Sequence, residues 1–185
     1  MQRLVIYGML LIICKIWDLY TTWLRSPDLA REMNPLTRLL GVSWTTVLLQ
    51  EVVLTIVTVW FVHRSLIPDP SFCPPKRDVS LKEFIANLFF EEPSPWWHGL
   101  YRLPTRRGAL WYSLAGVTLF LAPLAHIQAG TSNWLLTRSS QYEHWFDTYL
   151  PWSWYSEVAV VVLLAMFLFV RRDYLACRET NAPAT

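Results

Sequence analysis

Lys15 and Asp18 stand three residues apart inside the first apolar stretch of a 185-residue chain, Leu4–Leu24. Centring either charge in a membrane helix costs roughly 2.5–3.5 kcal/mol on insertion scales, so such groups face a protein interior or a wet site rather than lipid. Their spacing puts both on one helix face, close enough to offset each other. Gln50, Glu51, His126 and Glu157 interrupt later apolar stretches in the same way. Asp18, Glu51, His126 and Glu157 are the candidate catalytic set, since carboxylates and an imidazole are the materials of general acid–base chemistry. Three carboxylates face one lysine and one histidine, so in a dry setting at least one carboxyl holds or shares a proton. An excess of buried acid is a usual condition for a functional pKa shift. Interhelical hydrogen bonding for its own sake is the competing use of the same residues.

The elements that must position these groups are membrane helices. Hydrophobic residues make up 54% of the chain, and only 16% is charged, against about 25% in an ordinary soluble domain. Four stretches approach the roughly 20 residues needed to cross a bilayer: about 4–24, 44–62, 109–130 and 152–170. The first is too long for a secretory signal core, contains Lys15 and Asp18, and is followed by no small-x-small cleavage site, so it reads as a retained helix. Lys and Arg crowd the 63–108 connection and the tail after Val170, whereas 131–151 holds only Arg138. The positive-inside rule therefore predicts an all-α integral membrane protein with both termini in the cytoplasm. A net charge of +2, dispersed along the chain, gives no footprint for nucleic acid. The 185 residues read as a single membrane domain of a cell membrane, with a prokaryotic inner membrane the expected setting.

That topology allows depths to be assigned from a rise of ~1.5 Å per residue. Asp18 falls roughly 9 Å below the outer surface and Lys15 about 13 Å. Gln50 and Glu51 fall at roughly 9–11 Å, His126 and Gln128 at about 3–6 Å, and Glu157 at about 8 Å. Every span thus brings at least one strongly polar side chain to the outer half of the bilayer, and convergence into one cluster is expected.

Thr21 and Thr22 follow Asp18 at three and four residues and share its helix face. Glu32-Met-Asn34-Pro35 supplies a turn that can open the second helix, with Glu32 and Asn34 placed to fold over the outer mouth or to act as caps. The Asp-x-x-Thr-Thr pattern followed by Glu-x-Asn-Pro, residues 18–35, resembles the signature of a group of small uncharacterised prokaryotic multi-span membrane proteins. The resemblance implies a shared helical-bundle fold and carries no activity.

In the 63–108 connection, Asp69-Pro70 and Pro74-Pro75 break structure, and Ser80-Leu-Lys-Glu83 then matches a capping box. Leu81, Phe84, Ile85, Leu88 and Phe89 follow at helical spacing, predicting an amphipathic helix over about 80–91. It reads as lying on the inner membrane surface, either covering the cytoplasmic end of the bundle or offering a docking surface to a partner. Pro93, Pro95, Trp96, Trp97 and Tyr101 suit a headgroup region. The connection 131–151 is aromatic and polar, the composition of interfacial packing or of a lid, and 181–185 reads as a frayed end.

Cys14, Cys73 and Cys177 show no CxxC spacing and read as structural or incidental. Only one histidine, His126, lies within a span, which argues against a bis-histidine haem. A metal held by His126 with Asp18, Glu51 and Glu157 lacks supporting ExxH or HxxxH spacing, and no cofactor is expected. The four-span, two-carboxylate plan is similar to that of lipoprotein signal peptidases in helix number and orientation, but the paired Asn-plus-Asp motifs of their later helices are missing here. The leading expectation is an accessory component of a membrane assembly, with the bilayer, other membrane subunits or a second copy of the chain as partners. A membrane-embedded hydrolase or transferase acting on a lipid or lipid-linked substrate is the alternative, and a small proton-coupled transporter the third.

Overall fold

A computed structural model describes residues 2–29, 43–74, 79–91, 95, 97–98, 102–106, 108–149 and 152–180, with side chains at 152–155 and 180 excepted. Glu32, Asn34 and Pro35, much of the 93–101 aromatic stretch and the 181–185 end lie outside the described residues. Among the described residues the chain is all helical, with no strand. Six α-helices follow in order among the described residues: α1 Gln2–Arg25, α2 Trp44–Val62, α3 Leu81–Phe89, α4 Ala109–Arg138, α5 Ser140–Tyr149 and α6 Trp152–Thr180. Two short 3₁₀ turns, His63–Ser65 and Pro70–Phe72, precede α3. By length and composition, α1, α4 and the run from Trp44 to Ser65 can each cross a membrane.

α2 matches its expected bounds, and α1 is one or two residues longer at each end. α4 runs eight residues past the expected limit at Gly130, because nothing between Gly130 and Arg138 breaks a helix. The 131–151 connection is accordingly helical over most of its length. Pro123 sits inside α4 without ending it. Its missing N–H deprives the Leu119 carbonyl of its usual partner, a loss that membrane helices tolerate when neighbours pack against them.

The chain divides into two compact units. Unit 1 comprises Met1–Phe61 and Leu121–Leu164; unit 2 comprises Val62–Phe120 and Ala165–Thr185.

In unit 1, α1 contacts α2 and α4. Lys15 meets Glu51 of α2, and the Trp44 indole N–H donates to the Pro27 carbonyl at 2.7 Å, so α1 and α2 run antiparallel. Asp18 meets His126, and Thr22 and Arg25 meet Asn133, so α1 and α4 run parallel. α2 is capped by Ser43, whose Oγ accepts from the Thr46 N–H at 3.1 Å.

Unit 2 is built on aromatic packing. Phe84 and Leu88 of α3 are fully buried, Phe84 against Val79, Cys177 and Tyr174, and Leu88 against Phe72, Ala109 and Phe169. The apolar face of α3 is thus turned to protein, where it covers the start of α4 and the end of α6. Its capping box forms as expected, with Ser80 Oγ accepting from the Glu83 N–H and the Glu83 carboxylate accepting from the Ser80 N–H at 2.8 Å. Phe72 stacks on Tyr112 with centroids 4.5 Å apart, and Tyr112 meets Phe169 edge-on at 5.9 Å.

Gly116 of α4 lies directly against the Phe169 ring: a Cβ at this position would fall 2.1 Å from a ring carbon. Phe169 is 2% exposed and has nowhere to swing. Gly116→Ala therefore destabilises unit 2 by about 1–3 kcal/mol through overpacking, and Phe169→Leu in the same chain recovers part of that loss. Thermal unfolding in mild detergent, followed by circular dichroism, measures both.

Candidate functional site

The polar residues of unit 1 are brought together as pairs on different helices rather than as one undivided cluster. Lys15 and Glu51 form an ion pair, with side chains only 8% and 14% exposed. The Lys15 ammonium also donates to the Glu51 backbone carbonyl at 3.2 Å, which accepts a second bond from the Thr55 hydroxyl at 2.6 Å. The partner of Lys15 is therefore on α2, not its helix neighbour Asp18. Gln50, one residue before Glu51, is buried.

Asp18 takes His126 instead, Oδ2 lying 2.8 Å from Nδ1, and about a fifth of each side chain is exposed. Gly130 explains how α1 comes near enough. It sits one turn beyond His126 on the same face of α4, and a Cβ there would lie 3.1 Å from the Asp18 Cα and 2.4 Å from the Trp17 ring. Asn133 continues that face at i+7. Its amide donates to the Thr22 hydroxyl at 3.0 Å, and its carbonyl accepts from Arg25 Nη1 at 3.0 Å. Arg25 also lies over the Phe146 ring of α5 at 5.9 Å. Thr21 is fully buried, but its hydroxyl turns back to the Trp17 and Asp18 carbonyls at 3.0 and 2.9 Å and so serves its own helix.

Glu157 of α6 accepts from the Gln128 amide and, at 2.8 Å, from the Tyr142 hydroxyl. Ser132 Oγ lies 3.0 Å from the same Tyr142 oxygen, which leaves Ser132 as donor once Tyr142 donates to Glu157. Burial pushes the Tyr142 phenol above its ordinary value; the Glu157 carboxylate raises it further, while Ser132 lowers it.

Sequence reasoning placed Gln128 by depth alone and Tyr142 only as part of an aromatic connection, and it missed Asn133 and Gly130. The signal for the last two was present: residues 126, 130 and 133 share one helix face. Among the described residues no group of three His, Cys, Asp or Glu side chains is placed to hold a metal ion. Glu51 and Glu157 are drawn to Lys15 and to Gln128 with Tyr142, so Asp18 and His126 do not gain them as ligands.

The arrangement offers one unit of acid–base chemistry. The Asp18 carboxylate on Nδ1 orients the His126 ring.

Unit 2 holds a polar centre that sequence reasoning did not foresee. Asp173, 4% exposed, accepts from the Tyr112 hydroxyl and pairs with Arg172 at 2.6 Å. Arg172 also donates to the Ser65 carbonyl at 2.7 Å, and the Asp69 N–H donates to the Tyr112 oxygen at 2.9 Å. Burial holds the Asp173 carboxyl above the usual carboxylate range, although Tyr112 and Arg172 pull it down. Beside it opens a cavity of about 320 Å³ lined by Asp69, Phe72, Cys73, Phe84, Asp173 and Cys177, among others.

No family model, characterised protein or solved structure matches the chain.

Removing one member of a buried ion pair strands the other. Lys15→Met leaves Glu51 without its cation and lowers stability by about 3–5 kcal/mol, whereas Lys15→Met with Glu51→Met returns the protein close to its starting stability. Unfolding midpoints of Lys15→Met, Glu51→Met and the double variant in detergent test this; a double-variant loss equal to the sum of the two single losses would mean that the pair is not coupled.

Proposed function

We propose that the protein is a four-span membrane component whose buried polar pairs lock its helices, and that it works as an accessory or interaction subunit of a membrane assembly. The observation that carries this reading is the partnering itself. Each of the three intramembrane carboxylates meets a side chain of another helix: Glu51 meets Lys15, Asp18 meets His126, and Glu157 meets Gln128 and Tyr142. In hydrocarbon such contacts hold helices together because the alternative is an unsatisfied polar group. The antiparallel run of α1 and α2 and the parallel run of α1 and α4 support alternating spans at about 4–24, 44–62 and 109–130, and the Lys and Arg distribution supports an N-terminus in the cytoplasm. The apolar first half of α6 would supply the fourth, 152–170, and return the C-terminus to the same side. Only 17% of the α2 span is buried in the protein, so most of its surface is left for lipid or for neighbouring subunits. The setting proposed is a prokaryotic inner membrane, in keeping with the resemblance at residues 18–35.

A second reading rests on one contact. The half-buried Asp18–His126 pair is a base with an orienting carboxylate, the minimum apparatus for hydrolysis or transfer on a lipid-linked substrate.

Asp18→Asn, Glu51→Gln, His126→Asn and Glu157→Gln separate the two. Under the locking reading each lowers the unfolding midpoint and the amount of protein recovered from membranes. Four variants with unchanged midpoints and recovery would overturn it. Under the second reading Asp18→Asn and His126→Asn leave stability intact. For the topology, fluorescent-protein fusions at either terminus should both fluoresce, as cytoplasmic fusions do; a dark C-terminal fusion on a stable chain would remove the fourth span.

A further inference from the structure

Two cysteines that lie 104 positions apart in sequence meet in unit 2. Cys73 follows the 3₁₀ turn Pro70–Phe72, and Cys177 lies on the last turns of α6. Cys73 packs against the buried cluster of Val79, Phe84 and Cys177. Neither is in a disulfide. Their surroundings are unequal: Cys177 is fully buried, whereas Cys73 is partly exposed, and both line the cavity of about 320 Å³. A partly exposed thiol beside a fully buried one, both on one cavity wall, is the layout of an entering and a resolving cysteine.

We propose that Cys73 and Cys177 form a reversible thiol–disulfide site, oxidised by a small disulfide that enters the cavity on the Cys73 side. Cys73 releases its proton to solvent, and the thiolate attacks one sulfur of the incoming R–S–S–R. That S–S bond breaks, one RS⁻ leaves and is protonated to RSH, and Cys73 is held as a mixed disulfide. Cys177 then gives up its proton and attacks the Cys73 sulfur, expelling the second RS⁻, which is protonated in turn. Two protein thiols are oxidised to one disulfide while one small disulfide is reduced to two thiols. The new bond ties the Pro-rich segment after α2 to α6 and braces the wall of the cavity. A dithiol reductant reverses each step.

Burial pushes the Cys73 thiol up to about 12, and the neighbouring Cys177 thiol adds to the shift. Thiolate is scarce at neutral pH, so the site reacts slowly there, and its rate climbs about tenfold per pH unit between pH 7 and 9 as the thiolate fraction rises. Cys14, buried alone in α1, provides an internal comparison.

The full-length chain in mild detergent is incubated with oxidised glutathione and read by intact mass and peptide mapping. The expected product is a loss of two hydrogens, with the Cys73 and Cys177 peptides joined within one chain. Cys177→Ser should stop at one glutathionyl group on Cys73, and Cys73→Ser should take none on Cys177. Circular dichroism and gel filtration check that both variants fold, and the wild-type peptide map decides the matter if one does not. Peptides joined through Cys14 or between two chains would overturn the proposal. So would glutathionylation of wild-type Cys73 that never resolves onto Cys177, or a rate that does not change with pH.

Discussion

A charge inside an apolar helix has to be answered from another helix, and the Lys15–Glu51 pair is where unit 1 meets that constraint most strictly. Both side chains are almost fully enclosed, and Lys15 spends a second donor on the Glu51 backbone carbonyl. The pair fixes the rotation of α1 about its own axis. With Lys15 turned to α2, residues 18, 22 and 25 are carried round to face α4, where His126 and Asn133 receive them. One rotational setting therefore satisfies two helix contacts, and a turn of α1 in either direction would carry Lys15 or Asp18 onto its apolar outer face.

Polar contacts orient helices but do not bring backbones together, and here small residues do that. Gly130 lets α1 approach α4 with the Asp18 backbone where a side chain would otherwise stand, and this approach is what makes a 2.8 Å contact to His126 reachable. Unit 2 uses glycine against a different partner: Gly116 receives the Phe169 ring rather than a neighbouring backbone. The units accordingly differ in what holds them. Unit 1 relies on hydrogen-bonded and ionic pairs between long helices whose outer faces are exposed. Unit 2 relies on a core of Phe84, Leu88, Phe169 and Cys177 closed over by α3, as a soluble domain would.

The legibility of the sequence follows the same division. Long apolar runs show their helices directly: α1 and α2 hold no proline, and Pro123 does not end α4. The capping box at Ser80 is equally local and equally readable. Partner choice is not local. Lys15 and Asp18 share a helix face in sequence, yet each pairs elsewhere, since which face meets which helix depends on the Gly130 approach and on the α2 register. Tyr112, Arg172, Asp173 and the two thiols of unit 2 were invisible for a related reason. Tyr112 and Asp173 lie 61 positions apart and the two cysteines 104, and no spacing rule connects a loop cysteine to the last turns of a helix.

The acid excess that counting reveals in unit 1 finds a definite place in the structure. Glu51 is answered by an ammonium and Asp18 by an imidazole, so the surplus carboxylate is Glu157. Both of its oxygens accept from neutral donors, the Gln128 amide and the Tyr142 phenol, and Ser132 stands behind Tyr142 as a further donor. Such a relay can satisfy a carboxylate without a base, because hydrogen bonds to a charged acceptor are about twice as strong as those between neutral groups. It also makes α5 more than a connection. Tyr142 is the residue through which the 140–149 helix is tied to α6, and the phenol is held in its proton-donating form by the same burial that raises its pKa. The polar network of unit 1 therefore has two kinds of corner: one that balances charge between α1 and its neighbours, and one that spreads a single negative charge over uncharged donors.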